Sequence, residues 1–291
     1  MGFFACHNSG GQARTLQEVF IAISVVNCAA DGSLDPGDIE RAIRPYTKLI
    51  VLNHASNVVG TILPVAEVGR IAREHSVPLL VDAAQSAGCY PIDVEAMNID
   101  LLAFSGHKSL FGPQGTGALY IRPGIESRLE PLKYGGTGSY SEYEHQPEFL
   151  PDKYESGTPN TPGIAGLGAA ARYILATGCD RIFRHEQALV SQLLEGLGNI
   201  DRVQLYGRGP GNRCTAVIAF NLEGMDCGEL SMRLDHDYGI TTRSGLHCAP
   251  LAHQTLGTLQ SGTCRLSPGF FNVPDHIEQV IRAIHTIART S

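Results

Sequence analysis

The chain has 291 residues, 43% of them hydrophobic and 18% charged, which fits a large-cored globular protein of about two domains. Its net charge of −7 argues against a nucleic-acid partner, and no apolar run reaches the roughly 18 residues of a membrane span. The eight cysteines are scattered without a C-x-x-C pair. No basic stretch precedes a short apolar one near the start, and Cys6 breaks the myristoylation pattern that Met1-Gly2 opens. Together these predict a cytoplasmic protein with reduced thiols.

Taken in chain order, Leu49-Ile50-Val51-Leu52 reads as a strand. After Pro64, the residues Val65, Val68, Ile71 and Ala72 recur at helical spacing, with Glu67, Arg70, Arg73 and Glu74 opposite. Further strands are predicted at Leu79–Val81, Leu101–Phe104 and Ala118–Ile121. Continuous apolar strands with an intervening helix imply a mainly parallel sheet covered on both faces, with an antiparallel member near residues 100–122. Residues 131–163 turn rich in Gly, Pro, Tyr, Ser and Thr and predict a long irregular segment, a kind that often carries function. Helices follow at 163–177 and 181–197. A smaller α+β unit comes next: a strand at 216–220, a helix at 226–238, short strands at 240–243 and 263–267, and a final helix. Ile277, Val280, Ile281, Ile284 and Ile287 form the apolar stripe of that helix. The predicted division is a large domain over 1–178 and a small C-terminal domain over 179–291.

The chemistry concentrates at two strand ends. Asp82 closes Leu79-Leu80-Val81-Asp82, and Lys108 follows Ala103-Phe104-Ser105-Gly106-His107. In open α/β sheets ligands bind beyond the carboxyl ends of the strands. A lysine and an aspartate meeting there suit pyridoxal phosphate (PLP): the amine bonds the cofactor's aldehyde, and the carboxylate faces the ring nitrogen. A buried ion pair is the alternative reading of the same two residues. Gln85 is placed to bond the ring hydroxyl, and Ser105 and His107 to bond the phosphate. Cys248 and His253 do not have a recognised zinc spacing, and no metal ligand set is predicted.

Val81-Asp82-Ala83-Ala84-Gln85-Ser86 and Ser105-Gly106-His107-Lys108, taken together, resemble the class V aminotransferases, in particular their cysteine desulfurase/selenocysteine lyase branch. The resemblance implies a PLP-dependent transferase of fold type I, with a mainly parallel sheet in its large domain and a small C-terminal α+β domain. It spreads over most of the chain. Asn57, in Asn53-His54-Ala55-Ser56-Asn57, matches an asparagine near cofactor and substrate. Gly136-Thr137 resembles the loop that reaches the phosphate in the partner subunit, so Thr137 is a cofactor contact across a homodimer. Arg265, in Thr263-Cys264-Arg265, corresponds to the arginine that holds the substrate carboxylate through a bidentate fork. Arg243-Ser244-Gly245-Leu246-His247-Cys248-Ala249-Pro250 is similar to the short segment with the catalytic cysteine, where a thiolate attacks the sulfur of cofactor-bound cysteine. The resemblance therefore gives Cys248 a catalytic role and Arg243 a place beside the substrate.

Cys6-His7-Asn8-Ser9 resembles the segment whose histidine stacks on the pyridine ring, which assigns His7 to that role. Against the family pattern the chain is truncated at its N-terminus. Missing are part of the small domain, the first strand of the large domain and a glycine–threonine loop opening a phosphate-binding helix. The implied reaction converts L-cysteine to L-alanine and leaves a persulfide on Cys248, a step of sulfur metabolism that would hand sulfur to an acceptor protein. Two alternatives stay open. The same core serves transamination, racemisation or β-elimination on a small amino acid, and only Cys248 and its neighbours favour sulfur transfer. The other is a truncated, catalytically silent protein of the same fold.

Overall fold

The computed structural model describes residues 2–6, 22–140, 142–207 and 214–290. Six strands form the first sheet: β1 (Gly2–Cys6), β2 (Ala22–Val26), β3 (Thr47–Asn53), β4 (Leu79–Asp82), β5 (Leu101–Ser105) and β6 (Gly117–Ile121), in the order β2-β1-β3-β4-β5-β6. The first five run parallel, and β6 pairs antiparallel with β5, the member expected near residues 100–122. The central strands are apolar on both faces because helices cover the sheet. Ile50, Leu52, Leu79 and Val81 have no exposed surface, and each such side chain stabilises the fold by about 1.5–3 kcal/mol.

Helix α1 (Pro36–Ala42) starts where Asp35 accepts from the Gly37 amide at 2.9 Å and proline occupies the first turn. Helix α2 (Val65–Glu74) buries Val65, Val68, Ile71 and Ala72, the face its spacing predicts. Parallel pairing brings strand ends together: Asn53 is in register with Asp82, and Asp82 with Ala103. Residues that follow these ends, Gln85 and Lys108 among them, form one rim of a cavity.

Among the described residues from 131 to 160 the backbone has no regular element, yet the segment is pinned internally. Lys153, only 4% exposed, donates to the Glu126 carbonyl at 3.0 Å and to the Glu148 carboxylate at 2.8 Å, and the Tyr154 hydroxyl bonds the Glu126 and Leu129 carbonyls. Helix α3 (Thr161–Thr177) follows, with the Asn160 side chain accepting from the Gly163 amide at its start. Gly178 breaks the chain before α4 (Cys179–Gly198).

The second sheet is antiparallel throughout, in the order β7-β8-β10-β9: β7 (Val203–Tyr206), β8 (Ile218–Leu222), β9 (Arg243–Gly245) and β10 (Thr263–Leu266). With α5 (Cys227–Tyr238), α6 (Pro250–Leu256) and α7 (Pro274–Thr290), it makes the α+β unit read from the sequence. Its core joins Leu189, Leu193 and Leu197 of α4 to Phe220, Leu230, Ile284 and Ile287. The α7 stripe is buried as predicted, except that Ile281 is only partly covered.

Five of these elements escaped the periodicity, the five-residue strands β1 and β2 among them. β7 is a four-residue edge strand, and α1 and α6 are helices of seven residues, too short for a repeating pattern to show. The two sheets meet at Gly60, whose carbonyl accepts from the Thr215 amide at 2.8 Å. A Cβ at Gly60 would come within 2.5 Å of the Val217 carbonyl, and its φ of +71° already favours glycine. Among the described residues no helix is long and apolar enough to cross a membrane.

Candidate active site

A cavity of about 460 Å³ lies between the carboxyl ends of the first sheet and the face of the second. Asn57, Gln85, Lys108, Arg243, Cys248 and Arg265 all line it. Residues far apart in sequence thus converge, as strand-end loops of an open sheet do.

Lys108 sits in the turn after β5. Gly106 permits that turn, since a Cβ there would overlap the Thr116 hydroxyl at 2.1 Å. The lysine reaches solvent through the cavity mouth, yet its pKa is lowered. Partial desolvation is the main cause, Asp82 opposes it, and the guanidiniums of Arg265 and Arg243 add to it. A larger share of neutral amine follows, which is the form that attacks an aldehyde or takes a proton. Asp82 closes β4 with its side chain exposed, and its Oδ1 accepts from the Ala84 amide at 2.8 Å. Ser105 Oγ is buried without a hydrogen-bond partner among the described residues. Asp82, Ser105 and His107 flank the cavity without lining it.

Across the cavity, β10 carries Arg265. Its Nη1 donates to the Asn57 carbonyl at 2.8 Å, while Nε is buried and open. Burial and the neighbouring Arg243 lower its pKa, a guanidinium still charged and short of counter-charge. Asn57 in turn donates through Nδ2 to the His247 carbonyl at 2.8 Å and so ties the loop after β3 to the cysteine loop. Cys248 is exposed, and Arg243 Nη2 donates to its Sγ at 3.1 Å. His247 and Cys248 both adopt left-handed backbone, φ 50° and 60°, a strained pair for residues with side chains. His247 is buried. Desolvation, then the charges of Arg265, His253 and Arg243, push its pKa down to about 4, so the imidazole is neutral near pH 7.

One predicted residue is elsewhere. Thr137 does not line this cavity; its hydroxyl pairs with Ser139 Oγ at 2.9 Å in the irregular segment. His7 lies outside the described residues. The cavity also holds groups the sequence reading missed, among them Cys89, Phe111, Ser267 and Glu186. Glu186 is 5% exposed, and burial pushes its carboxyl up to about 7, against a bond from the Phe270 amide. Its signal was available: Glu186 interrupts the buried α4 stripe of Ile182, Leu189, Leu193 and Leu197, where a charge has no packing reason to be.

A lysine and an arginine facing an exposed cysteine across the carboxyl ends of a mainly parallel sheet define an α/β protein with an amino-acid-sized, anion-receptive site. The pattern of the family described as aminotransferase class-V matches residues 12–280, and the chain belongs to that family. The family is PLP-dependent. The chain is 38% identical over 276 residues to a probable cysteine desulfurase of Methanothermobacter thermautotrophicus, covering 94% of this chain and 68% of that protein. It is 37% identical over 273 residues to a cysteine desulfurase of Escherichia coli, covering 92% and 65%. The chain thus spans about two thirds of the length of these curated relatives. Among solved structures, the apo cysteine desulfurase of Thermococcus onnurineus NA1 superposes with a TM-score of 0.89 at 33% identity, covering all of this chain and 73% of that one. The cysteine desulfurase CsdA of Escherichia coli gives 0.86 at 25% identity, covering 99% and 72%. These likenesses agree with the fold-type-I expectation.

Proposed function

We propose that this chain is a PLP-dependent cysteine desulfurase that converts L-cysteine to L-alanine and keeps the sulfur as a persulfide on Cys248. The carrying observation is the Arg243–Cys248 contact of 3.1 Å on a cavity that Lys108 and Arg265 share. The residues present fit the cofactor. Ser105 Oγ is a buried hydroxyl lacking a partner, Asp82 offers an open carboxylate at a strand end, and Lys108 is a partly desolvated amine. Lys108 would hold it, with Asp82, Gln85, Ser105, His107 and Asn57 around it and His7 against its ring.

When bound, pyridoxal phosphate supplies an electron sink that weakens the Cα–H bond of the amino acid. Arg265 then clamps the substrate carboxylate, and Asn57 steadies the Arg265 guanidinium through its own carbonyl. Lys108 Nζ takes the Cα proton. Cys248 Sγ attacks the substrate sulfur: the Sγ–S bond forms, the Cβ–S bond breaks, the electron pair left on Cβ takes up the proton that the Cys248 thiol gave up, and Lys108 returns its proton to Cα to give alanine. The thiol of Cys248 and L-cysteine thereby become a persulfide and alanine, with atoms and electrons balanced. Arg243 faces the sulfur with positive charge as its proton leaves.

Incubating the PLP-loaded protein with L-cysteine is expected to release alanine and add one sulfur to the Cys248 peptide, read by mass spectrometry. Alanine formed without mass gain on Cys248 would reject this reading.

The same proposal includes a homodimer, a domain boundary near Gly178, and a separate protein as final sulfur acceptor. Thr137 supports the dimer because it lies off the cavity of its own chain. Mixing inactive Lys108→Ala chains with inactive chains lacking residues 135–139 should restore about a quarter of parental activity. Statistical exchange makes half the dimers hybrid, each with one intact site. No recovery under demonstrated subunit exchange would remove Thr137 from the site.

A further inference from the structure

The turn that carries Gln85 to the cavity is held by a histidine that the mechanism above does not use. β4 ends at Asp82, and Gln85 lines the cavity three residues later. The turn is built on two carbonyls. The Ser86 and Ala87 amides donate to the Ala83 carbonyl at 3.0 and 2.8 Å, and the Cys89 and Tyr90 amides donate to the Ser86 carbonyl at 3.2 and 2.8 Å. Its entry is fastened to β5, where the Ala83 amide donates to the Ala103 carbonyl at 2.8 Å. Ser86 is fastened to the residue that follows β3: its Oγ pairs with His54 Nδ1 at 2.9 Å. The other Oγ contact, 3.4 Å to the Ala83 carbonyl, stays within the turn.

His54 is 2% exposed and Ser86 has no exposed surface, so breaking their bond would strand a polar atom away from water. Tyr90, at the end of the turn, meets the His54 ring edge-on, with centroids 5.0 Å apart and planes at 90°. The His54 amide donates to the Asp82 carbonyl at 2.8 Å. One residue therefore grips the segment from Asp82 to Ser86 at both ends, by its backbone at the first residue and by its ring at the last. Burial pushes the His54 pKa down to about 4, so the ring is neutral near pH 7 and has one donor and one acceptor nitrogen. A serine hydroxyl pairs with Nδ1 in either form.

We propose that His54 is a positioning residue for Gln85: through Ser86 its ring holds the turn that presents Gln85 to the cofactor cavity. This deepens the cofactor site proposed above and rests on it for the contact that Gln85 makes.

Three substitutions separate this role from simple packing. His54→Asn keeps a polar group where Nδ1 stands. His54→Gln moves that group to where Nε2 stands, and Ser86→Ala removes the hydroxyl. The first readout is hydrogen exchange of the 83–90 peptide, followed by mass spectrometry on the cofactor-free full chain and referred to the α2 peptide of the same sample. H54Q and S86A are each expected to exchange about tenfold faster than the parent, the scale of losing one buried hydrogen bond. H54N is expected to stay within about threefold of it. Packing alone predicts the opposite order for the two histidine variants, because asparagine leaves the larger hole. The second readout is the absorbance of bound PLP. Gln85→Ala should shift the band, H54Q should shift it in the same direction, and H54N should leave it in place. Parental exchange in H54Q, exchange in H54N as fast as in H54Q, or an H54Q band that does not follow Gln85→Ala overturns the proposal. A parental chain with no PLP band would instead count against the desulfurase reading, and the exchange rates would still decide the role of His54.

Discussion

Replacing Lys108 with alanine is expected to abolish alanine release from L-cysteine, with a fall of about a thousandfold or more, because general acid–base groups alone contribute about 10²–10⁴-fold. Several observations make this the largest single effect. Lys108 is the lysine lining the cavity, and it stands between Asp82 on its own sheet and the Arg265–Arg243 pair opposite. Its desolvation favours the neutral amine, so both roles assigned to it draw on one physical cause. Arginine could not substitute, since a guanidinium stays charged at any accessible pH. A second readout is independent of turnover: borohydride reduction of the PLP-loaded protein should place the pyridoxyl label on the Lys108 peptide. Label on another lysine, or a Lys108→Ala protein that turns over at a tenth of the parental rate, would refute the assignment.

Cys248→Ala should leave cofactor binding and its absorbance intact while desulfuration falls by about a hundredfold or more, the scale of losing a nucleophile. The separation is expected because the thiol touches Arg243 and not the groups assigned to the cofactor. The residues Lys108, Asp82 and Arg265 stay in place, so L-cysteine should still perturb the cofactor spectrum. A selenocysteine substrate should suffer less, since selenium leaves more readily without a thiolate's help. The substitution carries little stability penalty, because Cys248 is exposed and its neighbours are held by Asn57 and Thr263 rather than by the sulfur. Parental alanine production by Cys248→Ala would transfer the protein to another class V reaction on a small amino acid.

By itself the sequence determined four of the six strands of the first sheet, the strand-end lysine and aspartate, and the family. Long apolar runs such as 49–52 and 101–104 have few alternatives in a chain of this composition, and residues ending such runs sit at the sheet's carboxyl edge by geometry alone. The final helix was equally legible, because five apolar residues at helical spacing must face something. Short elements were not: β7, α1 and α6 hold too few residues for a period to register.

Tertiary structure alone decided what meets across the cavity. That Arg243 bonds Cys248 is a five-residue neighbourhood, but Arg265 reaching Asn57, and Asn57 reaching His247, are contacts over about two hundred residues that no local pattern encodes. The same holds for Glu186, whose carboxyl keeps its proton near neutrality only because the packed α4 removes it from water, and for the bond between His54 and Ser86. Burial and distance set charge state and partnership, and both arise only when separate segments pack. The residue types were legible one by one; which of them share an environment was settled by the packing of the second sheet against the strand ends of the first.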